Sequence, residues 1–298
     1  MDNARVEKLR GIRKLAAAHA LGTCTFISED RNEVKAVIEH PGMNSGDYDI
    51  NGQPKLWQMM KLMGSGRFFA YSYPLDQSGR TFRDFSKMTD DRMTFMVSSE
   101  IVFHKELYDF SIKKTPVRMH VIGGYIGSSS LNTITKMFDS TENVLLSSNV
   151  TQVVSIDRAT RRPKPLPDWW REKYAESAKQ HVSLKFDKLE RPENAGVYIC
   201  HVAWSDTDAY CHTNWASYAR FVVDAAHHSS RKGDIKHFDE NLARGLHKIQ
   251  LYYCGESFMD DTLTVYSWED PEDSTVLYFD VCKDHKSIFQ CRFYFFDS

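Results

Sequence analysis

An acidic loop that runs straight into an apolar helix occurs twice in this chain, and that long-range repeat constrains the fold more than any other feature. The first copy reads Asp47-Tyr-Asp49-Ile-Asn51-Gly-Gln53-Pro-Lys55 and continues as Leu56-Trp-Gln-Met-Met-Lys-Leu-Met63. The second reads Asp206-Thr-Asp208-Ala-Tyr210-Cys-His212-Thr-Asn214 and continues from Trp215 to Ala226. Each helix is apolar on more than one face, which requires cover on most sides.

The segments around each loop match as well. One strand-like run precedes each loop, Val34–Glu39 and Val197–Trp204. After the first helix come Thr94–His104, Pro116–Ile122, Ser130–Asp139 and Val144–Ile156, rich in β-branched residues and bounded by turn formers. The second half repeats them as Gly245–Cys254, Thr262–Trp268, Thr275–Lys283 and Ser287–Phe296. The order is strand, helix, four strands, twice. An antiparallel sheet curled around each helix would bury it. Between the halves, Asp157–Asn194 holds Pro163, Pro165 and Pro167, then Trp169-Trp170 and a helix-compatible charged stretch. It reads as a connection packed across the outside through its tryptophans.

Composition excludes several classes. With 298 residues, 42% hydrophobic and 26% charged, the chain is that of an ordinary globular protein, and 38 basic against 40 acidic residues leave no electrostatic footprint for nucleic acid. The first twenty residues are punctuated by charges and lack a secretory apolar run; Val6, Leu9, Ile12 and Leu15 are spaced as in an ordinary packing helix. No later segment is apolar enough to span a membrane, and six scattered cysteines show no paired spacing. The expectation is a cytoplasmic protein without integral membrane segments or nucleic-acid partners.

At the second loop the match becomes specific. Asp206, Asp208, His212, Asn214 and Tyr218 fit D-x-D-x-x-x-H-x-N-x-x-x-Y, which resembles the signature of hotdog-fold thioesterases of the 4-hydroxybenzoyl-CoA and plant acyl-ACP types. Tyr253-Cys-Gly-Glu256 followed by Asp260-Asp-Thr-Leu263 is similar to the strand that supplies a carboxylate in the acyl-ACP type, and Phe103-His-Lys-Glu106 takes the equivalent place in the first half. The resemblance, which covers roughly residues 30–298, implies an α+β double hotdog: two antiparallel sheets, each wrapping a central helix. The expected organisation is an N-terminal extension (1–30), a pocket-forming hotdog domain (31–157), a linker (158–194) and a catalytic hotdog domain (195–298).

Thioester hydrolysis needs a nucleophile, or a base that makes one from water, and donors where negative charge develops on the carbonyl oxygen. A loop feeding a helix N-terminus offers both. The resemblance implies Asp208, His212 and Glu256 as the catalytic set, by direct attack of Asp208 or by activation of water. Asn214 is either an N-cap or a positioning residue, and Asp206 reads as a turn and capping residue. Glu256, read as a strand-interior carboxylate, needs a partner such as His212. Substrate contacts are expected from Asn214, Tyr210, Asp49, Asn51, Met59 and Met63, the methionines serving either as core or as the lining of an acyl tunnel. The family pattern has Asn where this chain has Tyr210, and the first half has Gln53 and Lys55 where His and Asn belong, so the first half reads as degenerate; the less favoured alternative makes it the active half, through Asp49, Asn51 and Glu106.

The reaction expected is release of a free acid from acyl-CoA or acyl carrier protein, without metal or cofactor, by a monomeric pseudo-dimer or a homodimer. The alternative is a non-catalytic binder of fatty acyl groups descended from such an enzyme, and a hotdog dehydratase is a weaker third reading. A metal site drawn from Asp206, Asp208, Cys211 and His212 lacks any standard ligand spacing.

Overall fold

A computed structural model describes residues 23–30, 32–208 and 211–297. Alternation of buried and solvent-facing side chains sets the strands. In β5, Ser130–Asp139, Leu131, Thr133, Thr135, Met137 and Asp139 are buried and alternate with less buried neighbours, apart from Asn132, which is buried too. The other strands are β1 (Thr23–Glu29), β2 (Val34–His40), β3 (Arg92–Phe103), β4 (Val117–Ile126), β6 (Leu145–Asp157), β7 (Gly196–His201), β8 (Leu246–Tyr253), β9 (Thr262–Glu269), β10 (Val276–Lys283) and β11 (Lys286–Phe295). The helices are α1 (Leu56–Ser72), α2 (Phe85–Met88), α3 (Asp168–Ala178), α4 (Trp215–Lys232) and α5 (Phe238–Arg244). Strand, helix and four strands recur in both halves, as the repeat requires. β1 and α5 are additions that the sequence pattern did not suggest, and the expected N-terminal helix lies outside the described residues.

The expectation of two sheets is corrected. Hydrogen bonding orders the strands β1-β2-β4-β5-β6-β3-β8-β11-β10-β9-β7, a single 11-stranded sheet. Two long strands with free edges, β3 and β8, pair antiparallel from Ser98↔Tyr252 to Val102↔Lys248. Pairing those edges satisfies backbone groups that two separate sheets would leave open.

Two compact units are distinguished, each discontinuous in sequence. The first comprises the described residues up to Ser45, with Lys61–Met96 and Asp109–Leu184. Its inward rows run Ile38, Met119, Met137, Ser147 and Ala36, Val121, Thr135, Asn149 across β2, β4, β5 and β6. The rows are apolar on β2 and β4 and polar on β6, where burial demands partners. Ser147 donates to the Met63 sulfur at 3.4 Å, and the Tyr71 and Thr133 hydroxyls meet at 2.6 Å.

α3 packs on β4 in this unit. Of the two tryptophans in the connecting segment, one packs inward. Trp169 is exposed, but Trp170 is fully buried, its Nε1–H donating to the Arg83 carbonyl at 2.5 Å with the Arg83 guanidinium over its ring. An indole this large contributes most when it is desolvated, provided its N–H is bonded.

The second unit comprises Gly46–Met60, Val97–Tyr108 and the described residues from Lys185 onward, and thus includes the first acidic loop together with the described part of the second. α4 packs on β7 and β9, burying Ala216, Tyr218, Ala219, Phe221, Val222, Ala225 and Ala226. Asn214 begins the helix and Gly233, at φ +82°, ends it, with Arg231 and Lys232 in the last turn where the dipole favours cations. Among the described residues no helix is long and apolar enough to cross a membrane.

Candidate active site

The two acidic loops fold alike, bond for bond. The Asp208 N–H donates to the His212 carbonyl and the Asp49 N–H to the Gln53 carbonyl, each at 2.8 Å. Asn214 N–H reaches the Asp206 carbonyl at 2.7 Å, as Lys55 N–H reaches the Asp47 carbonyl at 2.8 Å. Thr207 bridges to Thr213 as Tyr48 bridges to Pro54. The turn needs a left-handed residue: Gly52 at φ +75° supplies it in the first loop, and Cys211 adopts φ +63° in the second. Asp47/Asp206, Asp49/Asp208, Gln53/His212 and Lys55/Asn214 are therefore equivalent positions, which the sequence comparison alone suggested and the hydrogen bonds show.

The two aspartates of the second loop have different surroundings. Asp206 is 4% exposed, and both its oxygens are used, Oδ2 by the Ala203 N–H at 3.0 Å and Oδ1 by Arg220 at 2.5 Å. It braces the loop against α4. Asp208 is only half-buried, with Oδ1 accepting the His212 N–H at 3.3 Å. In the first loop Asp49 Oδ1 likewise accepts the N–H groups of Asn51 and Gln53, each at 2.8 Å.

His212 and Glu256, far apart in sequence, come together. Nδ1 of His212 lies 3.5 Å from a Glu256 oxygen. Glu256 is in the turn beyond β8 rather than in a strand interior, and its side chain is 35% exposed. It can therefore stay hydrated without being buried beside its partner. Phe258 stands edge-on to the imidazole, ring centroids 5.1 Å apart, and pairs with His212 as an isolated bridge.

Asn214 is an N-cap: its Oδ1 accepts the Ala216 N–H at 2.9 Å. That donor is therefore engaged, and what α4 offers a developing oxyanion is the positive end of its dipole. Met59 and Met63 are both 1% exposed, core positions in their respective units. Glu106 is exposed in the 3-10 turn Lys105–Leu107. Tyr210 lies outside the described residues.

Several residues at the site had no forecast role. Arg220 holds Asp206, Phe258 flanks His212, and the hydroxyls of Thr213, Ser257 and Tyr218 form a chain behind the pair, at 2.7 Å and 2.8 Å. Tyr218 belongs to the signature, which was the one available signal; Thr213 and Ser257 look ordinary in sequence. Tyr218 stacks on Phe289 at 5.0 Å and stands edge-on to Tyr253, and burial pushes its phenol up, so it is protonated at neutral pH.

Comparison with solved structures bears on the fold. The chain is similar to an acyl-ACP thioesterase from Bacteroides thetaiotaomicron VPI-5482, with a TM-score of 0.65 at 13% identity over 91% of this chain and 100% of that one. It is similar also to the 12:0-ACP thioesterase from Umbellularia californica, with a TM-score of 0.62 at 15% identity over 88% and 94% of the two chains. The chain has the hotdog thioesterase fold. No family model matches the sequence, and no curated protein does. At such low identity the likeness concerns the fold; chemistry has to be argued from side chains.

Proposed function

We propose that this protein hydrolyses an acyl thioester, carried on coenzyme A or on acyl carrier protein, to the free acid and thiol. The observation that carries the reading is the approach of His212 to Glu256 beside Asp208, in a hotdog fold. Asp208 is the half-buried carboxylate of the loop, held next to His212 by the His212 N–H on its Oδ1. His212 and Glu256 form a base and its orienting carboxylate, the arrangement general-base catalysis uses. In one route His212 takes a proton from water, the hydroxide oxygen bonds to the thioester carbonyl, and collapse expels the thiolate, which receives that proton. In the other, an Asp208 oxygen bonds to the carbonyl carbon and the C–S bond breaks to release the thiolate, leaving a mixed anhydride that water cleaves to the free acid and the Asp208 carboxylate. In both, the positive end of the α4 dipole favours the oxyanion.

The sequence repeat and the matching loops support reading each half as one hotdog unit, a double hotdog with its working site in the second. The first half has Gln53 where His212 stands, and a primary amide cannot act as a base. On this reading Asp49, Asn51, Asn214 and Tyr210 shape or position the acyl substrate, and no cofactor takes part. Acyl-CoA and acyl-ACP of graded chain length, followed by thiol release, test the proposal. Saturable turnover with at least one series is expected. Saturable fatty-acid binding with no turnover on any thioester would overturn it in favour of a binding protein.

A further inference from the structure

Behind His212 and Glu256 lies a buried chain of three hydroxyls that the first acidic loop lacks. Thr213 Oγ1 meets Ser257 Oγ at 2.7 Å, and Ser257 Oγ meets the Tyr218 hydroxyl at 2.8 Å. A backbone bond runs alongside, from the Thr213 N–H to the Ser257 carbonyl at 2.8 Å. Thr213 directly follows His212, and Ser257 directly follows Glu256. The two residues of the pair are thus each one peptide away from a doubly bonded staple, and Tyr218, from the first turn of α4, bonds to its Ser257 side.

The first loop is an internal control. Its positions equivalent to Thr213 and Tyr218 are Pro54 and Met59, and the residue after Glu106 is Leu107. None has a hydroxyl, and Met59 and Leu107 are buried. Yet that loop makes the same backbone bonds, from Asp49 to Gln53 and from Lys55 to Asp47. The loop fold does not need the hydroxyls. They occur where His212 occurs. Three buried hydroxyls also cost desolvation, which apolar residues of similar size avoid, so their presence in one half alone calls for a function there.

We infer that Thr213, Ser257 and Tyr218 are positioning residues that set the approach of His212 to Glu256. The inference rests on the reading of that pair as the working base and its carboxylate. The hydroxyls touch neither reacting group; they fix the two short segments that bear them, so the distance between imidazole and carboxylate follows the staple. A shift of a fraction of an ångström in such a pair is enough to slow a reaction that depends on alignment.

Thr213→Val removes the hydroxyl at nearly constant volume, and Thr213→Ser keeps it while losing a methyl. With a thioester that the wild type hydrolyses, Thr213→Val is expected to lower kcat about 10-fold with KM within about 2-fold, and Thr213→Ser to stay within about 2-fold of wild type in both. Equal losses in the two variants, or none in either, would overturn the inference. Tyr218→Phe, which leaves the Thr213–Ser257 bond in place, is the second variant should Thr213→Val fail to fold, and is expected to lower kcat without raising KM; unchanged kcat counts against the inference. The side-chain nitrogen resonances of His212 give a readout that needs no turnover. They move in Thr213→Val and not in Thr213→Ser if the staple sets the ring, and stay put in both if it does not. A wild type inert to every thioester would therefore reject the hydrolase reading, while these resonances still decide for or against the staple.

Discussion

Removing the carboxylate of Asp206 should lower the stability of the fold while turnover of the folded variant stays near wild type, the reverse of what removing Asp208 should do two residues later. Asp206 is 4% exposed and accepts the Ala203 N–H at 3.0 Å and Arg220 at 2.5 Å. Its backbone carbonyl also receives Asn214 N–H and the Ser217 hydroxyl, bonds that a side-chain substitution leaves in place. A charge-assisted bond to a backbone N–H contributes about 1.5 kcal/mol. The Arg220 bond is worth about 1 kcal/mol, discounted because Arg220 is 35% exposed and retains Asp224 at 3.2 Å. Asp206→Ala is therefore expected to cost about 2.5 kcal/mol, and Asp206→Asn, which keeps one acceptor, about 1.5 kcal/mol. Urea unfolding read at constant m, with turnover of the folded variant measured alongside, checks both halves of the statement. A loss below about 0.5 kcal/mol for Asp206→Ala, or turnover abolished in a variant of undiminished stability, would refute the assignment of Asp206 as a brace.

Two further perturbations address the first unit. Burial holds His40 and His181 below the ordinary imidazole value of 6.5, with repulsion from Arg83 adding to burial at His181. His40 Nδ1 also accepts the Gly42 N–H at 3.1 Å, which requires an unprotonated nitrogen. Both rings are neutral in the fold and bind a proton more readily once unfolded, so stability is lost as pH falls through 6.5 toward the folded-state values. The drop in Tm between about pH 7.5 and about pH 5.5 should shrink in a His40→Gln, His181→Gln double variant, and an unchanged drop would exclude these residues as its source. Gly42→Ala should cost at least about 3 kcal/mol, because Gly42 has φ +89° and an added Cβ would lie 2.1 Å from the Lys114 carbonyl oxygen. Near-wild-type denaturation of that variant would contradict the close approach.

What could be read from the sequence was whatever is written in local periodicity and in the repeat. β5 matches its expected run end to end, since a β-branched alternation bounded by turn residues admits few other structures. α4 was legible for the same reason, with an N-cap and a terminal glycine in place. β1 was not, because Thr23–Glu29 is an edge strand with half-exposed residues and no clear alternation. α5 spans only Phe238–Arg244, too short for helical period to show. The single sheet was illegible because the pairing of β3 with β8 joins backbone edges, and nothing in a side-chain pattern records which edges meet. At the site, the sequence supplied Asp208, His212 and Glu256 only through a motif. The Asp206–Arg220 pair and the Thr213–Ser257–Tyr218 chain depend on folded proximity between residues that look unremarkable on their own.

The two loops share a backbone and differ in side chains, so the most direct measurement compares the same substitution in each. Asp208→Asn and Asp49→Asn change equivalent carboxylates. With an acyl thioester hydrolysed by the wild type, Asp208→Asn should lower the single-turnover rate by at least about 10²-fold, while Asp49→Asn stays within about 5-fold. A large loss from Asp49→Asn with Asp208→Asn near wild type would place the chemistry in the first loop, and contradict the assignment of the working site to the half that carries His212.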